Sequence, residues 1–161
     1  MVDEIDKELK KWFQGAKKVV IAGIGNPIRT DDYVGLKIVE QLKGKLPKTV
    51  CLIEAETVPE SYLLDIEQFK PTHVLLIDAA FLRLRPGKAS LIDAEKVENY
   101  SAITTHLLPL HIFSDYIKQA TGAKIALLLV EPQSIEFGEG LTGEIHKTAK
   151  SLTTILLQLL S

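Results

Sequence analysis

A single cysteine in 161 residues rules out any disulfide within the chain. That residue, Cys51, sits in the apolar run Thr49-Val50-Cys51-Leu52-Ile53 and is expected to be a small buried hydrophobe in a reducing compartment. Charge of one sign is also scarce. Nineteen Lys and Arg against 21 Asp and Glu leave a formal −2, which offers no basic footprint for nucleic acid or an anionic membrane. No apolar run reaches the ~20 residues of a membrane span. The acidic opening Met1-Val2-Asp3-Glu4-Ile5-Asp6 does not have the character of a secretory signal. The expectation is a soluble, cytoplasmic domain without internal repeats or low-complexity stretches.

Several catalytic signatures are missing too. No Gly-Lys-Ser or Gly-Lys-Thr triplet is present for a phosphate loop, and a dinucleotide fingerprint fails because Ile28 stands where the third glycine belongs after Gly23 and Gly25. No Gly-x-Ser-x-Gly elbow occurs, and Cys51 lies mid-strand, away from the helix start that would favour a thiolate. Acyl-enzyme chemistry on serine or cysteine therefore has no residue in the right context.

What is present reads as one α/β domain. A chain of this length can bury roughly 70% of its unfolded surface, so it needs no staple. Val2 to Phe13 places apolar residues at helical spacing, and Lys18 to Ile24 is an apolar run typical of a strand buried on both faces. The alternation continues with a helix over Asp32 to Lys43, a strand over Thr49 to Ala55, a helix over Glu60 to Phe69 and a strand over Thr72 to Asp78. Pro86-Gly87 turns the chain into Lys88 to Ile92, which alternates and is expected as an antiparallel edge strand. Glu95 to Thr105 is polar and irregular. Pro109 to Ala120 is helical with Gly122 as its stop, and Lys124 to Val130 is the last strand. Glu131 to Leu141 is a long connection of the kind that is functional or mobile. Thr142 is then expected to cap a terminal helix whose Ile145, Leu152, Ile155, Leu156 and Leu159 face the core. Strands alternating with helices predict an open α/β sheet covered on both faces.

The chemistry concentrates where the first strand runs into its helix, at Gly23-Ile24-Gly25-Asn26-Pro27-Ile28-Arg29-Thr30-Asp31-Asp32. Sites of parallel sheets form at the carboxyl ends of strands. This loop is glycine-rich like a phosphate cradle, yet it ends in two carboxylates, which points to a cation. Asp78 ends a second apolar strand and should emerge on the same edge, beside the small Ala79-Ala80. His106 lies in the polar stretch before Pro109. Two aspartates and a histidine, completed by water or substrate, suit a borderline divalent ion such as zinc, nickel or manganese. Each also has an ordinary reading: Asp31 or Asp32 as a helix cap, Asp78 as a solvated strand end, His106 as a partner for backbone groups. His73, His111 and His146 read as structural or exposed.

Three stretches together resemble the hydrogenase maturation endopeptidases. Gly23-Ile24-Gly25-Asn26 with Asp31-Asp32-Tyr33-Val34-Gly35 resembles that family's opening motif. Leu75-Leu76-Ile77-Asp78-Ala79-Ala80 resembles the strand carrying its second acidic ligand. Thr104-Thr105-His106-Leu107-Leu108-Pro109-Leu110 is similar to the histidine motif of the branch serving formate-hydrogenlyase-type hydrogenases. The resemblance runs from about Lys18 to the terminal helix. It implies a three-layer α/β/α sandwich with a mostly parallel five-stranded twisted sheet. It also implies trimming of the carboxyl-terminal extension of a NiFe hydrogenase large-subunit precursor, with nickel presented by that substrate. Asp32, Asp78 and His106 are then both the catalytic and the metal-contacting set, Asp32 being preferred to Asp31 because the family's acid stands three residues before the glycine, here Gly35. The implied protein partner is the precursor, with neither nucleic acid nor membrane insertion, and the enzyme is expected as a monomer or weak dimer. A peptidyl-tRNA hydrolase shares a Gly-x-Gly-Asn-Pro opening but wants a histidine and then an asparagine where Asp31-Asp32 stands. A non-catalytic metal- or nucleotide-binding module is the third reading. Two features depart from the family: the helix over residues 2–14 precedes its usual start, and Glu54-Ala55-Glu56 replaces Asp-Gly-Gly, adding a carboxylate to the cleft wall.

Overall fold

The computed structural model describes residues 2–99 and 107–161. Five strands form one sheet in the order β2-β1-β3-β5-β4: β1 (Val19–Ile24), β2 (Val50–Glu56), β3 (His73–Ala79), β4 (Ala89–Asp93) and β5 (Lys124–Val130). All pairings are parallel except β4 with β5, which is antiparallel at the edge, as the short Pro86-Gly87 connection requires. The central strands β1, β3 and β5 are almost wholly apolar because helices cover both their faces.

Alternation along β3 separates two cores. Leu75, Ile77 and Ala79 pack with α1 (Val2–Trp12), α2 (Val34–Leu42) and α5 (Gly143–Leu160). Val74, Leu76 and Ala80 pack on the other face with Ile66 of α3 (Leu63–Phe69) and with Leu110, Phe113 and Ile117 of α4 (Leu107–Thr121). The result is the expected three-layer sandwich. The amino-terminal helix joins the first of these cores through Ile5 and Leu9, with Phe13 just beyond its end. In α5, Ile145, Leu152, Ile155 and Leu156 are buried as their spacing predicts, while Leu159 is half-buried at the margin. Among the described residues no helix is long and apolar enough to cross a membrane.

The structure corrects several local expectations. The helix after β1 opens with a separate 3-10 turn, Thr30–Tyr33, and neither Asp31 nor Asp32 caps α2 through its side chain. A similar turn, Pro59–Tyr62, precedes α3. The fourth helix begins at Leu107, before Pro109, because a proline in the first turn forfeits an N–H that would have no partner in the helix anyway. Part of the polar stretch after β4 forms a 3-10 segment, Ala94–Asn99. Cys51 is half-buried, since β2 is an edge strand, and burial together with nearby Asp65 pushes its thiol up.

His73 is structural, as expected. It opens β3 at 3% exposure, edge-on to the Trp12 ring at 5.0 Å, and Nδ1 lies 2.9 Å from the Thr72 hydroxyl. Burial, and then the Lys124 charge on the neighbouring strand, hold its pKa below the usual 6.5. Above that pH both folded and unfolded chains carry a neutral imidazole. As pH falls through it, the unfolded chain takes up a proton that the folded one refuses, and stability drops. The urea midpoint of the wild type should therefore fall more steeply between about pH 7 and pH 5.5 than that of His73→Phe; parallel slopes would exclude this role.

Candidate active site

The first strand reaches its helix by an unusually close backbone approach. A Cβ added at Gly35 would lie 2.1 Å from the Ile77 carbonyl oxygen and 2.7 Å from that of Ile24. One added at Gly23 would lie 2.4 Å from the Gly35 carbonyl oxygen. Gly25 takes a φ of +141° and donates its N–H to the Glu56 carbonyl at 2.8 Å. These glycines serve a tight turn and close packing, as the failed dinucleotide pattern suggested. They lock the start of α2 against the carboxyl ends of β1 and β3, and the 3-10 turn carrying Asp31 and Asp32 packs directly on β3. Asp32 and Asp78 thus arise from hydrogen-bonded neighbouring strands at one sheet edge.

The two adjacent carboxylates have different surroundings. Asp31 is fully buried. Its Oδ2 accepts the N–H groups of Gln133 at 2.9 Å and Ser134 at 3.0 Å, and its Oδ1 accepts that of Thr142 at 2.8 Å. The Thr142 hydroxyl lies within hydrogen-bonding distance of both oxygens. Thr142 does occupy the N-cap position of α5, but its side chain serves Asp31 and not the helix. Asp32, 6% exposed, accepts the Asn26 N–H on Oδ2 at 3.0 Å, and among the described residues its Oδ1 accepts no hydrogen bond. Asp78 is fully buried at the end of β3, and its Oδ1 accepts the N–H of Ala79 at 2.8 Å. Strand alternation puts it on the α3/α4 face. His106 lies outside the described residues. Among those described, no three His, Cys, Asp or Glu side chains cluster as a metal site.

Neighbouring groups complete the edge. Tyr33 donates its hydroxyl to Glu40, and burial, reinforced by Glu40, pushes its phenol up to about 12, which removes it as a base near neutral pH. Glu56 is exposed and holds a left-handed φ of 52°, a conformation a glycine would take freely. Glu131 has a part that the sequence did not disclose. It is buried, and its Oε1 accepts the N–H groups of Leu82 at 2.7 Å and Leu84 at 3.2 Å, fixing the connection that follows Asp78. The long connection after β5 is likewise tied down, since Thr30 and Gly138 exchange backbone bonds with their opposite strand: Thr30 N–H to Gly138 O at 3.1 Å and Gly138 N–H to Ile28 O at 3.0 Å. A cavity of about 440 Å³ between α1, residues 85–89 and α5 lies on the opposite face from Asp78.

Two stability measurements check this architecture. Asp31→Ala strips a charged, buried acceptor from three part-buried N–H groups and should cost about 2–3 kcal/mol, read from urea unfolding; a loss within experimental error would disprove its clamping role. Gly35→Ala drives a methyl into backbone carbonyls and should cost at least about 2 kcal/mol.

Comparison with known proteins agrees with this fold. The family model described as HycI, hydrogenase maturation protease, matches residues 36–159. The crystal structure of a NiFe hydrogenase maturation protease, HycI, from Thermococcus kodakarensis KOD1 superposes with a TM-score of 0.88 at 33% identity, covering 95% of this chain and 98% of that one. The hydrogenase maturating endopeptidase HybD from Escherichia coli superposes with a TM-score of 0.74 at 27% identity, covering 88% and 91% of the respective chains. The hydrogenase 3 maturation protease of Escherichia coli K12 is 26% identical over 133 residues, 83% of this chain and 85% of that protein. With a carboxylate-bearing sheet edge, this fold and these relatives, the chain belongs to the hydrogenase maturation protease family and is a peptidase.

Proposed function

We propose that the enzyme removes the carboxyl-terminal extension of a NiFe hydrogenase large-subunit precursor after nickel has been inserted, and that it reads the nickel held by that substrate. The observation that carries this reading is the unequal use of the Asp31-Asp32 pair. Asp31 is consumed by backbone N–H groups, whereas Asp32 keeps an oxygen without a hydrogen bond among the described residues, at the same edge as Asp78. His106 is assigned by its motif.

Oxygen and nitrogen donors of this kind suit a borderline divalent cation. Asp32, Asp78 and His106 would complete the coordination of an ion partly held by substrate thiolates and so fix the adjacent scissile peptide in one place. Holding the reacting bond in a single geometry lowers the entropic part of the barrier, and a cation next to a carbonyl polarises it. A precursor without nickel gives these ligands nothing to grip, which makes trimming conditional on metal insertion. The Thr104–Leu110 motif favours the formate-hydrogenlyase-type branch.

The test incubates the protein with nickel-loaded and nickel-free precursor. Trimming of the loaded form alone is expected, and Asp32→Asn should abolish it without altering the circular dichroism spectrum. Equal trimming of both forms would overturn nickel reading.

A further inference from the structure

Large apolar side chains left in solvent crowd one end of the molecule. Ile28, Val58, Leu84 and Phe137 lie on the connections that leave the carboxyl ends of β1, β2, β3 and β5, and the remaining ones are on α3 and α4. Phe137 is the most exposed at 84%, with Ile28 at 52%. A phenyl ring in water is unfavourable, and contiguous exposed apolar groups mark interaction sites.

These two residues are neighbours across the braced loops. The Ile28 carbonyl accepts the Gly138 N–H, the Thr30 hydroxyl donates to Glu136 O at 2.6 Å, and Arg29 Nε donates to Ile135 O at 3.1 Å. Asp31 clamps the same connection from beneath through Gln133 and Ser134. The ring is thus displayed on backbone already ordered, so binding through it loses little further freedom. Beside it opens a cavity of about 550 Å³ lined by Asn26, Arg29, Ile135, Glu136 and Phe137. The Asn26 N–H is the group that holds Asp32, so cavity and candidate site share a wall.

We infer that Phe137 and Ile28 are the apolar anchor by which the peptidase grips its protein substrate, an inference that rests on the function proposed above. The occupant is an apolar side chain on the precursor segment flanking the bond to be cut. Because Asn26 both lines the cavity and holds Asp32, a chain that fills the one lies next to the other. Its volume falls in the range of about 300–1,000 Å³ usual for ligand pockets. Arg29 and Glu136 line it with charges of both signs beside the apolar Ile135 and Phe137, a composition that suits a polypeptide with an aromatic hot spot at the contact.

The experiment uses the full chain and the nickel-loaded large-subunit precursor of the same organism with its extension intact. Precursor binding is measured by titration calorimetry, and trimming by the kinetics of extension release, for wild type, Phe137→Ser and Phe137→Leu. Phe137→Ser should weaken binding and raise KM at least tenfold with little change in kcat and in melting temperature, and Phe137→Leu should recover most of the loss. Unchanged binding and KM in Phe137→Ser would overturn the anchor while wild-type trimming left the peptidase reading standing. A wild type that binds but never trims, with binding lost in Phe137→Ser, would sustain the anchor and sink the proposed cleavage. A wild type that does not bind the precursor overturns the anchor.

Discussion

The missing side chain at Gly35 is the constraint on which the working edge of this molecule is built. Backbone carbonyls of two strands occupy the space where a Cβ would go, with that of Ile77 only 2.1 Å from its position. Protein interiors are packed too tightly to absorb such an overlap without moving a main chain. The helix therefore begins as close to the sheet as a backbone can come. That closeness sets the 3-10 turn onto β3 and leaves two aspartates, distant in the chain, at one rim.

Around this contact the fold gives similar groups different work. Asp31 and Asp32 are chemically identical and adjacent, yet three backbone N–H donors converge on the first and one on the second. A carboxylate whose oxygens are taken up by backbone N–H groups is a structural fastener. Glu131 does the same for the connection after β3. Two of the loops that would otherwise be free to move are thus each held by a buried acid.

Much of this was legible in the residues. Central strands buried on both faces announce themselves as short continuous apolar runs, and Lys18–Ile24, Thr72–Asp78 and Lys124–Val130 each fall within two residues of the strand observed. The antiparallel edge strand followed from a connection too short for a crossover. The helices followed from their stripes, although their starts moved by a few residues wherever a 3-10 turn came first. The tasks of the carboxylates were harder to read. The partners of Asp31 stand 102 to 111 residues away, and nothing local marks them. Glu131 looked like the opening of a loop for the same reason. The choice of Asp32 over Asp31 came from a resemblance, and the hydrogen bonds that distinguish the two carboxylates were not legible in it. The histidine of that motif falls outside the described residues.

The amino-terminal helix carries a separate consequence. It precedes the stretch matched by the family model at residues 36–159, as do β1 and the turn carrying Asp32, while the Thermococcus kodakarensis structure covers 95% of this chain. Its Ile5 and Leu9, with Phe13 just beyond it, are inside the core shared with α2 and α5. Burying three such side chains is worth roughly 5–8 kcal/mol, about as much as the whole net stability of many domains. In this chain the family-model match and the packed core begin at different places, and a fragment cut at residue 36 would lose a central strand together with the helix that covers it.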